Sequence, residues 1–193
     1  KNMEQVVTKE AIKINIDKPK IKKRVVMVIA FQGFRDEEYF VPKEILESAG
    51  VEVKTASTKL GIALGDDGGE ARVDFLISEV KPENFNAVIF VGGPGCLQDL
   101  DNDDSYRLVR ETVFQKKILA AICIAPVILA RSGVLKEKKA TVWTSPLDTT
   151  PIKILKDNGA EYIDKNVVRD GKIITANGPS AAEEFSQKIL ENL

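Results

Sequence analysis

The sequence predicts an α/β fold: a doubly wound, mostly parallel sheet with helices on both faces. From residue 24 to the end of the chain, short β-branched runs alternate with segments of helical periodicity. Several predicted strands are apolar throughout, as in "RVVMVIAF" (24–31), which is typical of parallel strands buried on both faces. The 193 residues are 44% apolar and 30% charged, and a chain of this size can bury a core without disulfides or a metal ion. We therefore expect one domain over residues 23–193.

Apolar periodicity and turn residues define the elements of the first half. The strand at 24–31 leads into a predicted helix over 36–49 that ends before a glycine. The alternating segment "VEVKTAS" (51–57) predicts a strand, and "DDGG" (66–69) predicts a hairpin turn between short edge strands. The segment "NAVIFVGGPG" (86–95) predicts a buried strand that runs into a glycine loop.

The second half continues the same alternation, without an internal repeat. Its patterns predict helices over 103–115, 124–132, 151–158 and 180–190, strands over 117–123 and 140–143, and a hairpin over 167–176. Ligands of such sheets bind beyond the carboxyl ends of the strands. Function is therefore expected in the stretches that follow three strands, "FQGFRDEE" (31–38), "VGGPGC" (91–96) and "AICIAP" (121–126).

Residues 1–22 form a basic segment that we expect to be a tail or linker. Residues 1–24 hold eight Lys or Arg against three Asp or Glu, although the whole chain carries a net charge of -1. A basic arm could contact nucleic acid or an anionic membrane, but a solvated tail is the simpler interpretation. We expect no nucleic-acid partner. No apolar run reaches the roughly 18 residues of a membrane span, so we also expect no span.

Histidine is absent, and the two cysteines are too few for a disulfide framework. A Ser-His-Asp triad, a Cys-His dyad or a His-ligated zinc site cannot be built from this chain. The low cysteine content favours a reducing compartment, so we expect a cytoplasmic protein, with processing before Lys1 left open. The glycine loop matches neither a P-loop nor G-x-G-x-x-G, and we expect neither a cofactor nor a metal ion.

Cys123 carries the sharpest functional signal in the sequence. It directly follows an apolar strand, and a helix begins at once, with Pro126 where its missing N–H costs nothing. A strand-to-helix elbow of this kind presents a nucleophile at the edge of a sheet. The helix N-terminus is expected to lower the thiol pKa below the free value of about 8.5. The alternative is that Cys123 is a small apolar core residue.

Two further stretches lie at the same predicted edge. The loop "VGGPG" (91–95) could bring backbone N–H groups close to a ligand oxygen, or it could be only a tight turn. At its end, Cys96 is expected to be an exposed or half-exposed, passive thiol. Asp36 and Glu37 would complement the helix dipole, whereas the apolar residues after Glu38 favour a side chain turned toward the sheet edge. A carboxyl group buried beside a thiol would have a raised pKa and could carry a proton.

Four ordered motifs resemble those of the ThiJ/PfpI superfamily, the group of the parkinsonism-associated deglycase and the PfpI intracellular protease. They are "EYFVP" (38–42), "VGGPG" (91–95), "AICIAP" (121–126) and "DGKIITANGPSAAEEF" (170–185), and the resemblance covers about Lys23 to Leu193. It implies a flavodoxin-like sandwich and a homodimer. By position, it implies that Cys123 is the nucleophile and Glu38 its carboxyl partner. It also implies that the backbone N–H groups of Gly93 and Ile124 are the oxyanion donors.

The sequence departs from the superfamily at two positions. PfpI-type members place a His directly after the Cys, where this chain has Ile124, and many members carry a His in the loop where this chain has "TSPLD" (144–148). Asp148 could take part in proton handling, or it could only cap the following helix. Without a His to serve as base, we expect no peptidase activity.

Two functions follow from these residues and from the resemblance. In the first, the chain is a deglycase- or glyoxalase-like enzyme whose partner is a small reactive carbonyl or its adduct: Cys123 adds to the aldehyde and Glu38 moves the proton. In the second, it is a redox-sensing stress protein without turnover, in which Cys123 is oxidised to a sulfinate stabilised by protonated Glu38. A substrate-dependent rate that disappears in Cys123→Ser would distinguish them.

Overall fold

A seven-stranded sheet forms the centre of the structure, a computed structural model that describes residues 21–193. The strands of the described chain are β1 (Arg24–Val28), β2 (Gln32–Phe34), β3 (Glu52–Ser57), β4 (Gly61–Gly65), β5 (Glu70–Val73), β6 (Phe75–Leu76), β7 (Ala87–Phe90), β8 (Ile118–Ile122), β9 (Lys139–Ala140), β10 (Glu161–Tyr162), β11 (Val167–Asp170) and β12 (Ile173–Ala176). The α-helices are α1 (Asp36–Ser48), α2 (Cys96–Leu100), α3 (Asp103–Phe114), α4 (Pro126–Arg131), α5 (Thr150–Asp157) and α6 (Ala182–Asn192). Residues 21–193 also contain three short 3₁₀ segments, which are Ile77–Glu79, Pro82–Asn84 and Pro179–Ala181.

The strand order of the central sheet is β11-β12-β8-β7-β1-β3-β6. Every neighbouring pair is parallel except β11 and β12, which form the predicted antiparallel hairpin. Strands β7 and β8 are buried at every position, which explains their uninterrupted apolar sequence. The predicted α/β class with a mostly parallel sheet is confirmed.

Helices cover both faces of this sheet, and two apolar clusters fill the space beneath them. One cluster includes Leu108 of α3 and Val127 of α4. The other includes Leu46 of α1 and Phe185 of α6, two helices that pack against each other. This division explains the doubly wound arrangement, because each helix buries one apolar stripe against one face of the sheet.

The hairpin around "DDGG" forms as predicted but belongs to a second sheet. Strands β4 and β5 are antiparallel, and β4 pairs with β2 in a three-stranded sheet of order β2-β4-β5. The carboxylate of Asp36, at the start of α1, accepts hydrogen bonds from the N–H groups of Asp67 (2.9 Å) and Gly69 (2.7 Å). These bonds hold the turn against the start of α1. Of the two hairpin strands, β5 is an edge strand of its sheet, as expected, whereas β4 lies between β2 and β5.

The predicted strand over 140–143 is also wrong beyond its first residue. Only Lys139–Ala140 forms a strand, and it pairs with β10 in a separate two-stranded sheet. The next backbone N–H groups bond elsewhere: that of Thr141 donates to Thr175 Oγ1 (3.0 Å), and that of Trp143 donates to the Cys123 carbonyl (2.8 Å). The segment is therefore tied to the loop that carries Cys123.

The remaining elements lie close to their predicted positions. Helix α4 begins at Pro126, two residues after its predicted start, and α6 begins at Ala182 after a 3₁₀ turn. Helix α2, directly after the glycine loop, was not predicted. The predicted basic tail (1–22) lies outside the described residues except for its last two. Among residues 21–193, no helix combines the length and the apolar character needed to cross a membrane.

Candidate active site

The three stretches singled out in the sequence meet at one edge of the central sheet. Strands β1, β7 and β8 are neighbours and run parallel, so the loops at their carboxyl ends lie side by side. Between these loops is a pocket of about 320 Å³, hereafter the Cys123 pocket. Around Cys123 it is lined by Arg35, Gly93, Pro94, Leu97, Ile124 and Trp143.

Cys123 occupies a strained backbone position directly after β8. Its φ is +65°, in the left-handed region that costs a non-glycine residue roughly 1–3 kcal/mol. Two hydrogen bonds hold it there: its N–H donates to the Ala176 carbonyl (2.9 Å), and its carbonyl accepts from the Trp143 N–H (2.8 Å). The side chain is 7% exposed. The strand-to-helix elbow inferred from the sequence is present, with the thiol at the pocket.

The glycine loop packs so closely that its glycines cannot be replaced without a shift. Gly93 has a φ of +115°, and a Cβ there would lie 2.4 Å from the Arg35 nitrogen and 2.5 Å from the Gly33 oxygen. This packing brings the Gly93 N–H to the Cys123 sulfur, where the Ile124 N–H also points. The two predicted oxyanion donors therefore converge on one atom.

Glu38 lies in the first turn of α1 with its side chain completely buried. Neither carboxyl oxygen forms a hydrogen bond of ordinary geometry within the described chain. Burial raises the pKa of Glu38 from 4.5 to about 7, against the opposing effects of the Cys123 thiol, the Arg35 charge and the Gly92 backbone. Glu37, one residue earlier, is exposed, so only the third of the three acids turns inward, as predicted.

The expected lowering of the Cys123 pKa is wrong. Burial raises the pKa of this thiol, and the neighbouring Glu38 carboxylate raises it further, whereas the N–H groups of Ile124 and Gly93 lower it. Burial has the larger effect on this pKa because two backbone N–H groups replace only part of the hydration of the thiolate, and α4 begins only at Pro126. Interacting groups lose their protons in shared steps. Glu38 and Cys123 therefore hold two protons below about pH 7 and one proton above it.

The expectation that Cys96 is exposed is also wrong. Its side chain is 0% exposed and belongs to the same apolar cluster as Phe90 and Leu100. The preceding Gly95, whose Cβ would lie only 1.9 Å from the Gln32 oxygen, allows the loop and α2 to pack closely against β2. Burial raises the pKa of Cys96 well above its usual value, which makes it an unreactive core thiol.

Asp148 lies outside the Cys123 pocket lining. Its side chain is exposed, and its Oδ1 accepts a hydrogen bond from the Thr150 N–H (2.9 Å) at the start of α5. That bond lowers the pKa of Asp148. The geometry matches the capping interpretation of this residue. Across residues 21–193, no group of three His, Cys, Asp or Glu side chains is placed to hold a metal ion.

Three residues of the pocket were missed from the sequence: Arg35, Leu97 and Trp143. Arg35 stands directly before Asp36 and was obscured by the acidic run that follows it. Trp143 is the only tryptophan of the chain, and it was assigned to a strand. A signal existed for Arg35, which lies in the stretch after the first predicted strand, where ligands bind in sheets of this type. Trp143 is the last residue of its predicted strand, and Leu97 lies in α2, which was not predicted.

Comparison with known proteins identifies the family. The sequence model of the DJ-1/PfpI family matches residues 23–192. The chain belongs to the DJ-1/PfpI family. A crystal structure of a ThiJ/PfpI domain protein from Brachyspira murdochii is similar, with a TM-score of 0.82 and 35% identity over 89% of this chain and 96% of that chain. The flavodoxin-like fold expected from the resemblance is thereby confirmed.

Three relatives illustrate the range of similarity within the family. An uncharacterized protein of Methanocaldococcus jannaschii is 42% identical over 87% of this chain and 81% of its own length. The protein named deglycase PfpI of Pyrococcus furiosus is 30% identical over 87% of this chain and 98% of its own. Caenorhabditis elegans glutathione-independent glyoxalase DJR-1.2 is 27% identical over 89% of each.

Proposed function

We propose that this protein is a cysteine-dependent enzyme that acts on small reactive carbonyls or on their adducts. One observation carries the proposal: the Cys123 thiol lies in a pocket beside a buried carboxyl group, with two backbone N–H groups directed at its sulfur. Nucleophile, proton carrier and oxyanion donors are thus within one site. The names of the Pyrococcus furiosus deglycase and the Caenorhabditis elegans glyoxalase support this reaction class.

The first step is the addition of Cys123 to the aldehyde. Because the pKa of Glu38 is about 7, a large fraction of this side chain is ionised at neutral pH and can accept the thiol proton as the sulfur attacks. The S–C bond forms while the carbonyl π electrons move to oxygen. The N–H groups of Gly93 and Ile124 stabilise that oxyanion. Glu38 then returns the proton to this oxyanion, so that the product is a neutral hemithioacetal and the Glu38 carboxylate is regenerated.

Glu38 then carries the second proton transfer in the glyoxalase version of the reaction. Its carboxylate removes the hydrogen of the former aldehyde carbon as a proton, and the electron pair forms an enediolate with its negative charge on the oxygen of the adjacent carbon. Protonated Glu38 returns this proton to the adjacent carbon, and the hydroxyl proton moves to the adjacent oxygen, which yields the thioester of a 2-hydroxy acid. Water cleaves this thioester to the 2-hydroxy acid and free Cys123. The net change for a 2-oxo aldehyde is the addition of one water. No histidine is needed, because a single buried carboxyl group near pH 7 serves as acid and base.

The dimensions of the Cys123 pocket fit a small substrate. Its volume of about 320 Å³ lies at the lower end of the range for ligand pockets, which is about 300–1,000 Å³. Leu97, Ile124 and Trp143 supply apolar walls, and these limit the access of bulk water to the reacting thiol. An extended peptide would not fit in a site of this size.

The test is the consumption of methylglyoxal by the purified protein at pH 7.5. The wild type should form lactate, and Cys123→Ser should abolish the rate because serine is a poor nucleophile without a stronger base. Cys96→Ala is the matched control, because it removes the second thiol of the chain without touching the pocket lining. A Cys123→Ser variant that kept the wild-type rate would exclude the proposal.

A redox sensor remains a second candidate, favoured by the same two N–H groups. A sulfinate at Cys123 would accept hydrogen bonds from Gly93, Ile124 and protonated Glu38. Oxidation of the thiol to the sulfinic acid consumes two molecules of peroxide and releases two of water. A sensor would be modified by peroxide yet show no Cys123-dependent turnover of methylglyoxal. The implied homodimer and cytoplasmic location also stay predictions.

A further inference from the structure

Arg35 is the charged side chain among the residues that line the Cys123 pocket in the described chain. We propose that it selects substrates that carry a carboxylate, specifically 2-oxo aldehydes with an acid group such as 4,5-dioxopentanoate. The preference for a carboxylate is a binding property of the pocket and does not require catalysis. The turnover of such a compound rests on the proposed function. The product of that turnover, after addition of one water, would be 2-hydroxyglutarate.

The backbone holds Arg35 at a fixed position relative to the reacting thiol. Arg35 is the N-cap residue of α1, and its N–H donates to the Gly92 carbonyl (3.0 Å). The missing side chain of Gly93 allows this contact, since a Cβ there would lie 2.4 Å from the Arg35 nitrogen. The Arg35 backbone is therefore packed against the same glycine loop that aims the Gly93 N–H at Cys123.

The guanidinium group has donors that the protein leaves unused. Its Nε is buried without a hydrogen-bond partner in the described chain. Its Nη1 forms an ion pair with Asp66 Oδ2 at 3.5 Å, a separation longer than the 2.7–3.2 Å of an ordinary hydrogen bond. A buried unpaired donor is costly, and a carboxylate can pair with two guanidinium N–H groups at once. A ligand carboxylate would therefore satisfy a group that the protein alone does not.

The rest of the pocket favours one anionic group and an otherwise small apolar ligand. The walls formed by Leu97, Ile124 and Trp143 offer no charge to a substrate. The Glu38 carboxylate opposes an anion only above about pH 7, because below it the carboxyl group is mostly protonated. At pH 6 the Arg35 guanidinium, whose ion-pair partner Asp66 lies outside the pocket lining, is thus the charged group that a ligand in the pocket meets.

Two alkylating reagents of nearly equal shape test this inference without turnover. Iodoacetate carries a carboxylate where iodoacetamide carries a neutral amide. The rate of Cys123 alkylation by iodoacetate divided by the rate with iodoacetamide therefore measures the preference of the pocket for an anion. The ratio at pH 6, followed by mass spectrometry of the Cys123 peptide, should fall about 10-fold in Arg35→Met, the loss expected for one hydrogen bond to a charged group. Arg35→Gln provides the same test with a polar side chain if the first variant does not fold.

The matched control is Arg72→Met, which removes an exposed arginine of β5 that does not line the Cys123 pocket. It should keep the wild-type ratio, because the net charge changes equally but the pocket does not. A ratio unchanged in Arg35→Met and Arg35→Gln would overturn the inference. So would an equal fall in Arg72→Met, since the effect would then be one of overall charge.

Turnover separates this inference from the proposed function. If both substrates are consumed, Arg35→Met should raise KM for 4,5-dioxopentanoate about 10-fold more than it raises KM for methylglyoxal. If methylglyoxal is turned over but the alkylation ratio does not depend on Arg35, the proposed function stands and the selectivity is overturned. If neither substrate is turned over but the alkylation ratio falls in Arg35→Met, the carbonyl chemistry is refuted and the anion-selective pocket is supported.

Discussion

The Glu38 carboxyl group and the Cys123 thiol approach each other at Gly92, in the space that a side chain on this residue would occupy. A Cβ at Gly92 would lie 2.7 Å from the Cys123 Cβ and 3.0 Å from Glu38 Oε2. The absence of a side chain at this one residue allows α1 and the β8 elbow to bring their functional groups into contact. The juxtaposition of the carboxyl group and the thiol is therefore a consequence of backbone packing around a glycine.

The first prediction concerns the pH dependence of Cys123. Its alkylation by iodoacetamide should accelerate as the pH rises through about 7, because the Glu38 carboxylate can then accept the thiol proton. In Glu38→Gln this rise should move to higher pH, and methylglyoxal turnover at pH 7.5 should fall on the order of 100-fold, the usual contribution of a positioned acid-base group. The exposed neighbour provides the control, since Glu37→Gln should behave as wild type. Identical profiles for the two variants would show that Glu38 is not the proton carrier.

The second prediction concerns stability. The folded-state pKa of Glu38, about 7, lies above its unfolded value of 4.5, so the stability linked to this carboxyl group is complete below pH 4.5 and is lost as the pH rises to about 7. Glutamine carries no charge. Glu38→Gln should therefore have a free energy of unfolding within about 1 kcal/mol of wild type at pH 4.5 and about 3 kcal/mol above it at pH 8. Urea denaturation at the two pH values measures the difference in unfolding free energy between Glu38→Gln and wild type. A difference that is the same at pH 4.5 and pH 8 would contradict the prediction.

The third prediction concerns the glycine loop. Gly93→Ala should lower the free energy of unfolding by more than about 2 kcal/mol, because the new Cβ meets backbone atoms at 2.4–2.8 Å and φ is +115°. Gly133→Ala is the control: its φ is +91°, but no atom lies within 4 Å of the new Cβ, so its cost should be about 1 kcal/mol. Thermal unfolding of both variants measures the difference. An equal loss of unfolding free energy in the two variants would contradict this prediction, because it would show that the close contacts of a Cβ at residue 93 add nothing to the cost of the positive φ.

The fourth prediction is that the protein has no peptidase activity of its own. The chain contains no histidine to serve as base, and the Cys123 pocket is small. Casein should therefore remain intact in an overnight assay that detects a conventional cysteine protease. Hydrolysis that survived repurification and disappeared in Cys123→Ala would overturn this prediction.

Much of the fold could be predicted because periodicity is a local property of the sequence. The buried strands β7 and β8 were identified from uninterrupted apolar residues, and the start of α1 from the acidic residues of its first turn. The strand predicted over 140–143 failed for a non-local reason. The Trp143 N–H bonds to the Cys123 carbonyl, and no pattern within residues 140–143 encodes that partner.

The sequence by itself determined the α/β class, the elbow at Cys123 and the inward turn of Glu38, because each depends on residue types within a few positions of one another. The burial of Cys96, the raised pKa of Cys123 and the entry of Arg35 into the pocket were decided by the tertiary structure. The physical reason is the same in all three cases. Burial, desolvation and charge proximity depend on which surfaces of distant segments meet, and here the glycine contacts of the loop after β7 press those segments together.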